Sequence, residues 1–485
     1  MQARRDGAAW VGLTQRVTEV YKESLRPGRI DAENEEPRTS VYSRMKAWCS
    51  MDNSSFLPVR KKPLPREFPG VHRMCEEEAD AVLRICRSRS LFRYYGVDPQ
   101  GEVSKFEREF CSFLGIQHAV AVTSGTSALH TALSALRVGP GQEVIVPAYM
   151  WVSVVAAVVT LGAIPVLAEI DDTFCLDPES VRLRITPRTA GIVLVHMNGA
   201  PGDAPRIAAL AREHNLFLLE DCAQCVGGAI GGRKVGTFGD LAIFSFQMNK
   251  NMSSGEAGCV VTNDALLYRR ALACHDSGYS RDEQDRIRLD DEGAMGWGRG
   301  CRLDELRGAV LRVQLRRLPE VIASMRHSKH RLRALLEKYP EITQRRILDR
   351  DGDTGCFLLT TFSNATLART VNRRLRAHGI ATDSVETSNV ILEDYGLHVY
   401  FNIPALVRKI GTDERGTPWT LEENRDSIYE YHRGACPHSD DLLSRTQLLT
   451  IPSNLGEQDE EDMLAAFREV LGTVLPEKYE SVPIR

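Results

Sequence analysis

Two residues of opposite charge, each just past an apolar run, are the clearest chemical signal in the sequence. Leu216–Leu219 and Leu241–Phe246 have the length and composition of buried parallel strands. The first run is followed by the carboxylates of Glu220 and Asp221, and the second leads through FSFQMNK to Lys250. Pyridoxal phosphate needs a carboxylate beside its ring nitrogen and a lysine that forms a Schiff base with its aldehyde. The pattern therefore predicts a pyridoxal phosphate site.

The surroundings of the lysine strengthen this prediction, since an isolated lysine is usually a solvated surface charge. Lys250 follows a strand too apolar for the surface, and a tight polar loop containing Ser253, Ser254, Gly255 and Gly258 comes after it. Burial lowers the pKa of a lysine and so supplies the free amine that Schiff-base chemistry requires.

Three motifs also occur in the order found in a known family. EDCAQ, FSFxxxK and GEAG resemble the motifs of the DegT/DnrJ/EryC1/StrS family, the sugar and cyclitol aminotransferases of pyridoxal phosphate fold type I. The resemblance runs from about Glu67 to the C-terminus. It implies transfer of an amino group from glutamate or glutamine to a keto-sugar, often nucleotide-linked, or to a keto-cyclitol. Such reactions belong to the biosynthesis of amino sugars, antibiotics and other secondary metabolites.

The resemblance and the order of apolar segments predict an α/β fold in two domains. A large pyridoxal phosphate-binding domain over residues 66–325 should contain a mainly parallel seven-stranded sheet flanked by helices. Residues 326–485 should form a smaller α+β C-terminal domain, with a substrate-facing insert at 386–437. Residues 1–65 form an N-terminal extension in which Ala8–Leu25 could be a short amphipathic helix and Arg26–Ser40 is interpreted as a linker or disordered arm. Two alternatives stay open for the extension, packing on a neighbouring subunit or disorder.

A turn of small residues opens the first helix of the large domain. Ser124, Gly125 and Thr126 come directly after a predicted strand and before a helical stripe of leucines and alanines. Free backbone amides and the helix dipole at such a turn favour an anion. By the resemblance this segment binds the cofactor phosphate, which implicates Gly125, Thr126 and Ser127, and Ser245 adds a hydroxyl.

Two further cofactor contacts follow from the resemblance. Trp151 occupies the position of an aromatic residue that stacks on the pyridine ring, and its alternative role is plain core packing. Gln224 lies three residues after Asp221, where relatives contact the ring face or its oxygen.

Four residues are predicted substrate contacts. Tyr94, in SLFRYYG, belongs to a segment that enters the active site in relatives, although its aromatic residues could equally be ordinary packing. Arg302 could hold the carboxylate of the amino donor across a dimer. His398 and Tyr400 lie in the long insert, where an ordinary packed loop is the alternative.

The sequence departs from the family pattern at two glycine-rich sites. Relatives carry an asparagine that reaches the phosphate of the neighbouring subunit, and Gly300 stands at that position. The usual GEGG is GEAG, so Ala257 adds a methyl group that would shift the loop if its backbone required a positive φ.

Composition limits the remaining possibilities. The chain has 485 residues and a formal net charge of −4, which gives no reason to expect nucleic-acid or membrane partners. Cys222 and Cys225 form a CxxC without a second set of metal ligands nearby, so they are interpreted as buried thiols and no metal site is predicted. The scattered cysteines and the polar N-terminus predict a cytoplasmic protein. The resemblance implies a homodimer with the active site at the subunit interface.

Two other functions remain open at this stage. One is elimination or rearrangement by an enzyme of the same fold, although dehydratase relatives carry histidine in place of Lys250. The other is a non-catalytic regulatory relative, since the loss of the phosphate-binding asparagine could weaken cofactor affinity.

Overall fold

Apolar runs rich in valine, isoleucine and leucine form the strands of the computed structural model, which describes residues 57–475. The sequence before residue 57, with the helix suggested for Ala8–Leu25, lies outside the described residues. Thirteen strands occur within them: β1 (His118–Val122), β2 (Glu143–Pro147), β3 (Ile164–Ala168), β4 (Thr189–Val195), β5 (Phe217–Asp221), β6 (Ala229–Ile230), β7 (Arg233–Lys234), β8 (Leu241–Ser245), β9 (Gly258–Thr262), β10 (Thr343–Gln344), β11 (Phe357–Thr361), β12 (Asn389–Ile391) and β13 (Thr446–Thr450).

The helices begin mostly at capping residues, as at Ser124, Asp177, Asp264 and Asn364, whose side chains accept amide hydrogen bonds from the first turn. The α-helices of the described residues are α1 (Glu76–Ser88), α2 (Glu102–Leu114), α3 (Gly125–Ala135), α4 (Ser153–Thr160), α5 (Pro178–Arg184), α6 (Ala204–Glu213), α7 (Ala265–His275), α8 (Glu305–Leu336), α9 (Ala365–Ala377), α10 (Val385–Ser388), α11 (Pro404–Val407), α12 (Pro437–Ser444) and α13 (Glu457–Val474).

The larger sheet has seven strands in the order β1-β9-β8-β5-β4-β2-β3. Strand β9 is antiparallel to both of its neighbours, and the pairs that join β8, β5, β4, β2 and β3 are all parallel. The mainly parallel seven-stranded sheet is therefore confirmed. Ligands of such sheets bind beyond the carboxyl ends of the strands, and Asp221 and Ser245 are the last residues of β5 and β8.

A second, four-stranded antiparallel sheet has the order β10-β11-β13-β12. Its apolar face shares a core with α9, α13 and the second half of α8. This mixture matches the α+β C-terminal part that the sequence predicts. Helix α8 crosses the predicted boundary at residues 325 and 326, and the position of that boundary stays a prediction.

The insert at 386–437 packs on the large sheet. Tyr431 donates a hydrogen bond from its hydroxyl to the carbonyl of Pro165, and the Asn424 amide donates to the carbonyl of Gly162. Tyr400 and Tyr431 belong to the same core cluster as β2 and β3. The insert is therefore fixed to one edge of the sheet and holds its own residues 395–398 at the carboxyl ends of the strands. No helix among the described residues is both long and apolar enough to cross a bilayer.

Candidate active site

A cavity of about 700 Å³ lies beyond the carboxyl ends of the parallel strands. Loops after β1, β2, β4, β5 and β8 form one side of it, and residues of the four-stranded sheet and the insert form the other. The cavity brings together most of the predicted cofactor residues, separated by as many as 125 positions in sequence. Those that line it are Gly125, Thr126, Trp151, Asp221, Gln224, Ser245 and Lys250.

Asp221 lines the cavity and is almost fully buried, with 3% of its surface exposed. One carboxylate oxygen accepts a hydrogen bond from the Ala223 amide at 2.9 Å. Burial raises the pKa of the Asp221 carboxyl, and the charge of Lys250 acts in the opposite direction. A buried carboxylate of this kind is stabilised by a cation, and the protonated ring nitrogen of pyridoxal phosphate is such a cation.

Lys250 lies on the loop after β8 and lines the same cavity. Burial lowers the pKa of its ammonium group, and the carboxylate of Asp221 opposes that shift. The lowered pKa increases the fraction of free amine, which is the form that attacks an aldehyde. The two ends of the predicted site therefore influence each other's ionisation across one cavity.

The N-terminus of α3 provides the place for an anion. The Ser124 hydroxyl caps the helix by accepting the Ser127 amide at 3.0 Å, so Ser127 serves the cap and does not line the cavity. The amides of Gly125 and Thr126 precede the first intrahelical hydrogen bond. A Cβ on Gly125 would lie 2.8 Å from the Cβ of Ser245, so the glycine allows the Ser245 hydroxyl to approach the helix end. These donors fit the phosphate of the predicted cofactor.

Trp151 is 43% exposed and lines the cavity, so the alternative role of plain core packing is wrong. Its ring centroid lies 4.8 Å from that of His398, which stacks on Tyr395 at 4.1 Å and 8°. The three rings form an aromatic wall against which a flat cofactor ring can stack. The sequence did not indicate Tyr395.

Gln224 is held in one orientation at the cavity. Its side-chain oxygen accepts hydrogen bonds from the backbone amide of Asn198 at 3.0 Å and from the Asn198 side chain at 3.4 Å. Because the oxygen is occupied, the amide nitrogen of Gln224 is the group left to donate to a ligand.

Three of the four predicted substrate residues, Tyr94, Arg302 and Tyr400, do not line the cavity. The Tyr94 hydroxyl is hydrogen bonded to His275 at 2.9 Å. Arg302 pairs with Asp276 at 2.5 Å. The fourth predicted substrate residue, His398, does line the cavity.

Tyr400 is fully buried, and its hydroxyl donates to the Asp440 carboxylate at 2.9 Å. The alternative that sequence analysis left open for Tyr400, an ordinary packed residue, describes its position in this chain. It fixes the insert to α12.

Several cavity residues were missed because they come from segments without a recognisable motif. Ser153, the first residue of α4, exchanges a hydrogen bond with the Thr126 hydroxyl at 2.8 Å. Glu67 and Thr387 also line the cavity, although 320 positions separate them in sequence. Ser153 could have been found as a hydroxyl at a helix start beside Trp151, whereas nothing near Glu67 or Thr387 in sequence marks them.

The cysteines of the CxxC motif are buried thiols. Burial raises the pKa values of both Cys222 and Cys225 well above the ordinary value. The eleven cysteines of the described residues are free thiols.

The departures at Ala257 and Gly300 have different backbone consequences. Ala257 is buried and is not among the described residues with a positive φ, so its methyl group causes no backbone strain. Gly300 has a φ of +64°, which suits glycine and is also open to asparagine, the residue that the family resemblance predicts there.

Comparison with known proteins gives a consistent result. The model of the DegT/DnrJ/EryC1/StrS aminotransferase family matches residues 73–400. An L-glutamine:2-deoxy-scyllo-inosose aminotransferase of Streptomyces kanamyceticus is 38% identical over 295 residues, which cover 59% of this chain and 67% of that protein. The enzyme of the same description from Streptomyces lividus is 32% identical over 85% of this chain and 95% of its own.

Solved structures show the same fold. The crystal structure of 3-amino-5-hydroxybenzoic acid synthase superposes with a TM-score of 0.68 at 29% identity, covering 85% of this chain and all of that one. The first three curated relatives are matched over 67%, 66% and 62% of their own lengths.

Proposed function

The chain belongs to the DegT/DnrJ/EryC1/StrS aminotransferase family, and from that premise we propose that it transfers an amino group from glutamine or glutamate to a keto-cyclitol or keto-sugar. The observation that carries the proposal is one cavity lined by Asp221, Lys250 and the N-terminus of α3. Several relatives are described as aminotransferases of 2-deoxy-scyllo-inosose, a keto-cyclitol. The expected cofactor is pyridoxal phosphate.

Each residue that lines the predicted cofactor site has a separate role in the proposed reaction. When bound, pyridoxal phosphate supplies an electron sink that allows an amino group to pass between an amino acid and a ketone. The phosphate would be held by the amides of Gly125 and Thr126 and by the Ser245 hydroxyl. The Asp221 carboxylate would keep the ring nitrogen protonated. Nζ of Lys250, with its lowered pKa, takes a proton from the α-carbon of the donor and returns a proton to the acceptor carbon.

We also propose a homodimer, because two neighbouring segments expose large apolar side chains. Tyr95 and Val97 are each 71% exposed, and Trp297 is 95% exposed. Tyr94 is hydrogen bonded to His275, the last residue of α7. The carbonyls of Cys274 and Asp276 on either side of His275 accept the amides of Arg299 and Gly300, close to Trp297. In a dimer this surface would be buried, and Arg302 could then reach the partner's cavity. Sedimentation of the wild type and of Trp297→Glu tests this, since the substitution should shift the equilibrium towards monomer.

A cytoplasmic location is the corresponding proposal for the compartment. The free thiols of the described residues support it, because an oxidising compartment favours disulfides. Fractionation of the source cells tests this location.

The half-reaction with the donor tests the proposed chemistry. Protein loaded with pyridoxal phosphate is mixed with L-glutamine or L-glutamate, and the visible spectrum and the released 2-oxo acid are followed. We expect a spectral change and one equivalent of 2-oxo acid per site, followed by recovery of the spectrum and amine formation when 2-deoxy-scyllo-inosose is added. Lys250→Ala serves as the control without reaction.

Other outcomes identify the alternatives. A protein that retains no pyridoxal phosphate would be the non-catalytic relative. Consumption of a ketone-bearing substrate without any 2-oxo acid from the donor would indicate elimination or rearrangement. Either result contradicts transamination.

A further inference from the structure

Residues 64–70, here called the strap, run along the edge of the cavity before α1. At one end the Leu64 amide donates a hydrogen bond to the carbonyl of Ala381 at 2.8 Å. At the other end the Gly70 amide donates to the carbonyl of Lys250 at 3.2 Å. The strap therefore connects the loop of the predicted catalytic lysine to the segment before β12. Its middle residues are held beside the cavity by both ends.

Glu67 lies in the middle of the strap and lines the cavity. Its two carboxylate oxygens each accept one hydroxyl, from Thr382 at 2.7 Å and from Thr387 at 2.9 Å. A carboxylate has room for about four hydrogen bonds, so roughly two positions are left for a ligand. The two threonines fix the direction of the carboxylate, and no basic side chain neutralises it through a hydrogen bond or ion pair among the described residues.

A second acceptor lies close by. Nδ1 of His398 is hydrogen bonded to the carbonyl of Tyr395 at 3.0 Å and must donate to it, so Nε2 carries the lone pair. Burial lowers the pKa of His398 to about 4, which keeps the ring neutral near pH 7. Tyr395 stacks on His398, and burial together with the negative charge of Glu67 raises the pKa of the Tyr395 hydroxyl. Glu67 and His398 are therefore two acceptors next to one aromatic residue.

Away from the N-terminus of α3, where the cofactor phosphate would bind, the charge of the cavity is unlike that of a nucleotide diphosphate site. Among the described residues that line it, Lys250 is the only lysine or arginine, whereas Glu67, Asp221 and Glu256 are acidic. Lys250 is committed to the cofactor in the proposed function. A diphosphate placed beside Glu67 would meet carboxylates without a matching cation from the described residues of the same chain, which is unfavourable.

We propose that Glu67 determines acceptor specificity by accepting hydrogen bonds from hydroxyl groups of an uncharged polyhydroxy ketone. This inference rests on the proposed function and adds the substrate class and the residue that selects it. Hydroxyl groups on neighbouring ring carbons can donate to Glu67 and to Nε2 of His398 while the carbonyl carbon faces Lys250. An acceptor that carries a nucleotide diphosphate is disfavoured at the same place.

The test separates the two half-reactions of the loaded enzyme. The rate of the donor half-reaction and the kcat and KM for 2-deoxy-scyllo-inosose are measured for the wild type, Glu67→Gln and Thr382→Val. Glu76→Gln is the matched control, because it removes the same charge from an exposed position on α1 outside the cavity. A ketose linked to a nucleoside diphosphate provides the charged substrate.

We expect Glu67→Gln to raise KM for the uncharged ketone at least about tenfold, with the donor half-reaction within about twofold of wild type. Thr382→Val should also raise KM, by a smaller factor, because the Glu67 carboxylate then loses one of the two hydrogen bonds that fix its direction. Wild type should prefer the uncharged ketone over the nucleotide-linked one at least about tenfold in kcat/KM, and Glu67→Gln should narrow that preference.

Three results would overturn the inference: the same KM in Glu67→Gln and Glu76→Gln, an equal loss in both half-reactions, or a wild-type preference for the nucleotide-linked ketone. Failure of the proposed function is distinct, because it would appear as a wild type that shows no donor half-reaction at all.

Discussion

The imidazole of His196 and the carboxylate of Glu220 are hydrogen bonded at 3.0 Å, and both side chains are fully buried. The Gly202 amide donates to Nδ1 of the same ring, so Nε2 carries the proton that Glu220 accepts. The Glu220 carboxylate also accepts three backbone amides from residues 236–239. Of the two acidic residues that end β5, Glu220 therefore supports the structure and Asp221 faces the cavity.

Replacing Glu220 should affect stability rather than chemistry. Glu220→Gln puts an amide NH₂ where two donors now point, and we expect a loss of about 3 kcal/mol in the free energy of unfolding. Urea denaturation measures it. Glu213→Gln, which breaks only surface pairs with Arg182 and His214, should leave the free energy of unfolding nearly unchanged. A similar loss in both variants would contradict this role.

Metal removal should have no effect, although His196, Glu220 and Cys222 bring ligand-type atoms within 4.8 Å of one another. Both ring nitrogens of His196 are already hydrogen bonded, and the pKa of Cys222 is raised, so neither is ready to bind a cation. Dialysis against a chelator should leave the melting temperature and turnover unchanged. Loss of either upon chelation, with recovery on adding zinc, would show a metal site.

Lys250 should be essential for turnover because of its free amine, and another positively charged side chain should not replace it. Lys250→Arg keeps a cation but cannot supply a free amine, so it should lose turnover at least about 1,000-fold, as should Lys250→Ala. Both should also lose the visible absorption of the bound cofactor. Turnover near the wild-type level in either variant would show that another group carries the reaction.

Asp221→Asn should separate activity from stability. Burial raises the pKa of the Asp221 carboxyl, so the ionised group is costly in the protein without cofactor, and the amide should leave its unfolding free energy equal or higher. The same substitution should lower kcat at least about 100-fold, because the ring nitrogen loses its anion. Steady-state rates and urea unfolding of the cofactor-free protein measure the two effects.

Stability should fall below about pH 6.5 because of buried histidines. Burial lowers the pKa of His275 to about 3, so the unfolded chain binds a proton that the native protein does not over the pH range between that value and 6.5. Unfolding free energy should therefore decrease as pH falls through this window. His275→Gln should reduce the slope by up to about 1.4 kcal/mol per pH unit, whereas the exposed His438→Gln should not.

Gly258 should be required for the geometry at the helix end. A Cβ there would lie 2.3 Å from the carbonyl oxygen of Ser124, the cap of α3, so the backbone must shift. Gly258→Ala should lower stability by about 2 kcal/mol and weaken pyridoxal phosphate binding at least about tenfold. Gly472→Ala, which meets nothing within 4 Å in α13, is the control and should be neutral or slightly stabilising.

Local sequence was sufficient to predict the strands and to place Asp221 and Lys250 in one cavity. The run before Asp221 and the run before Lys250 are strands because they are continuous, apolar and short, and their parallel pairing brings both ends to one edge. The capped turn at Ser124 was readable for the same reason: the signal lies within a few consecutive residues. The predicted runs Leu216–Leu219 and Leu241–Phe246 differ from β5 and β8 by at most two residues at either end.

The proposed role of Glu67 could not be predicted from the sequence, because the residues that it contacts are distant in sequence. Glu67 meets Thr382 and Thr387 across more than 300 positions, and no pattern near any of them predicts the pairing. Tyr94 and Tyr400 are of a residue type that often contacts substrates. In this structure the Tyr94 hydroxyl is hydrogen bonded to His275 and the Tyr400 hydroxyl to Asp440. An aromatic residue in sequence does not show which way its hydroxyl points.

The strap has a practical consequence for anyone who shortens the protein for crystallisation or fusion. Backbone hydrogen bonds from Arg60 to His378 and from Leu64 to Ala381 anchor it ahead of the first helix. A truncated version that starts at α1 would remove the neighbour of Lys250 along with residues that look dispensable. Such a version should therefore start no later than Pro58, which precedes these anchors.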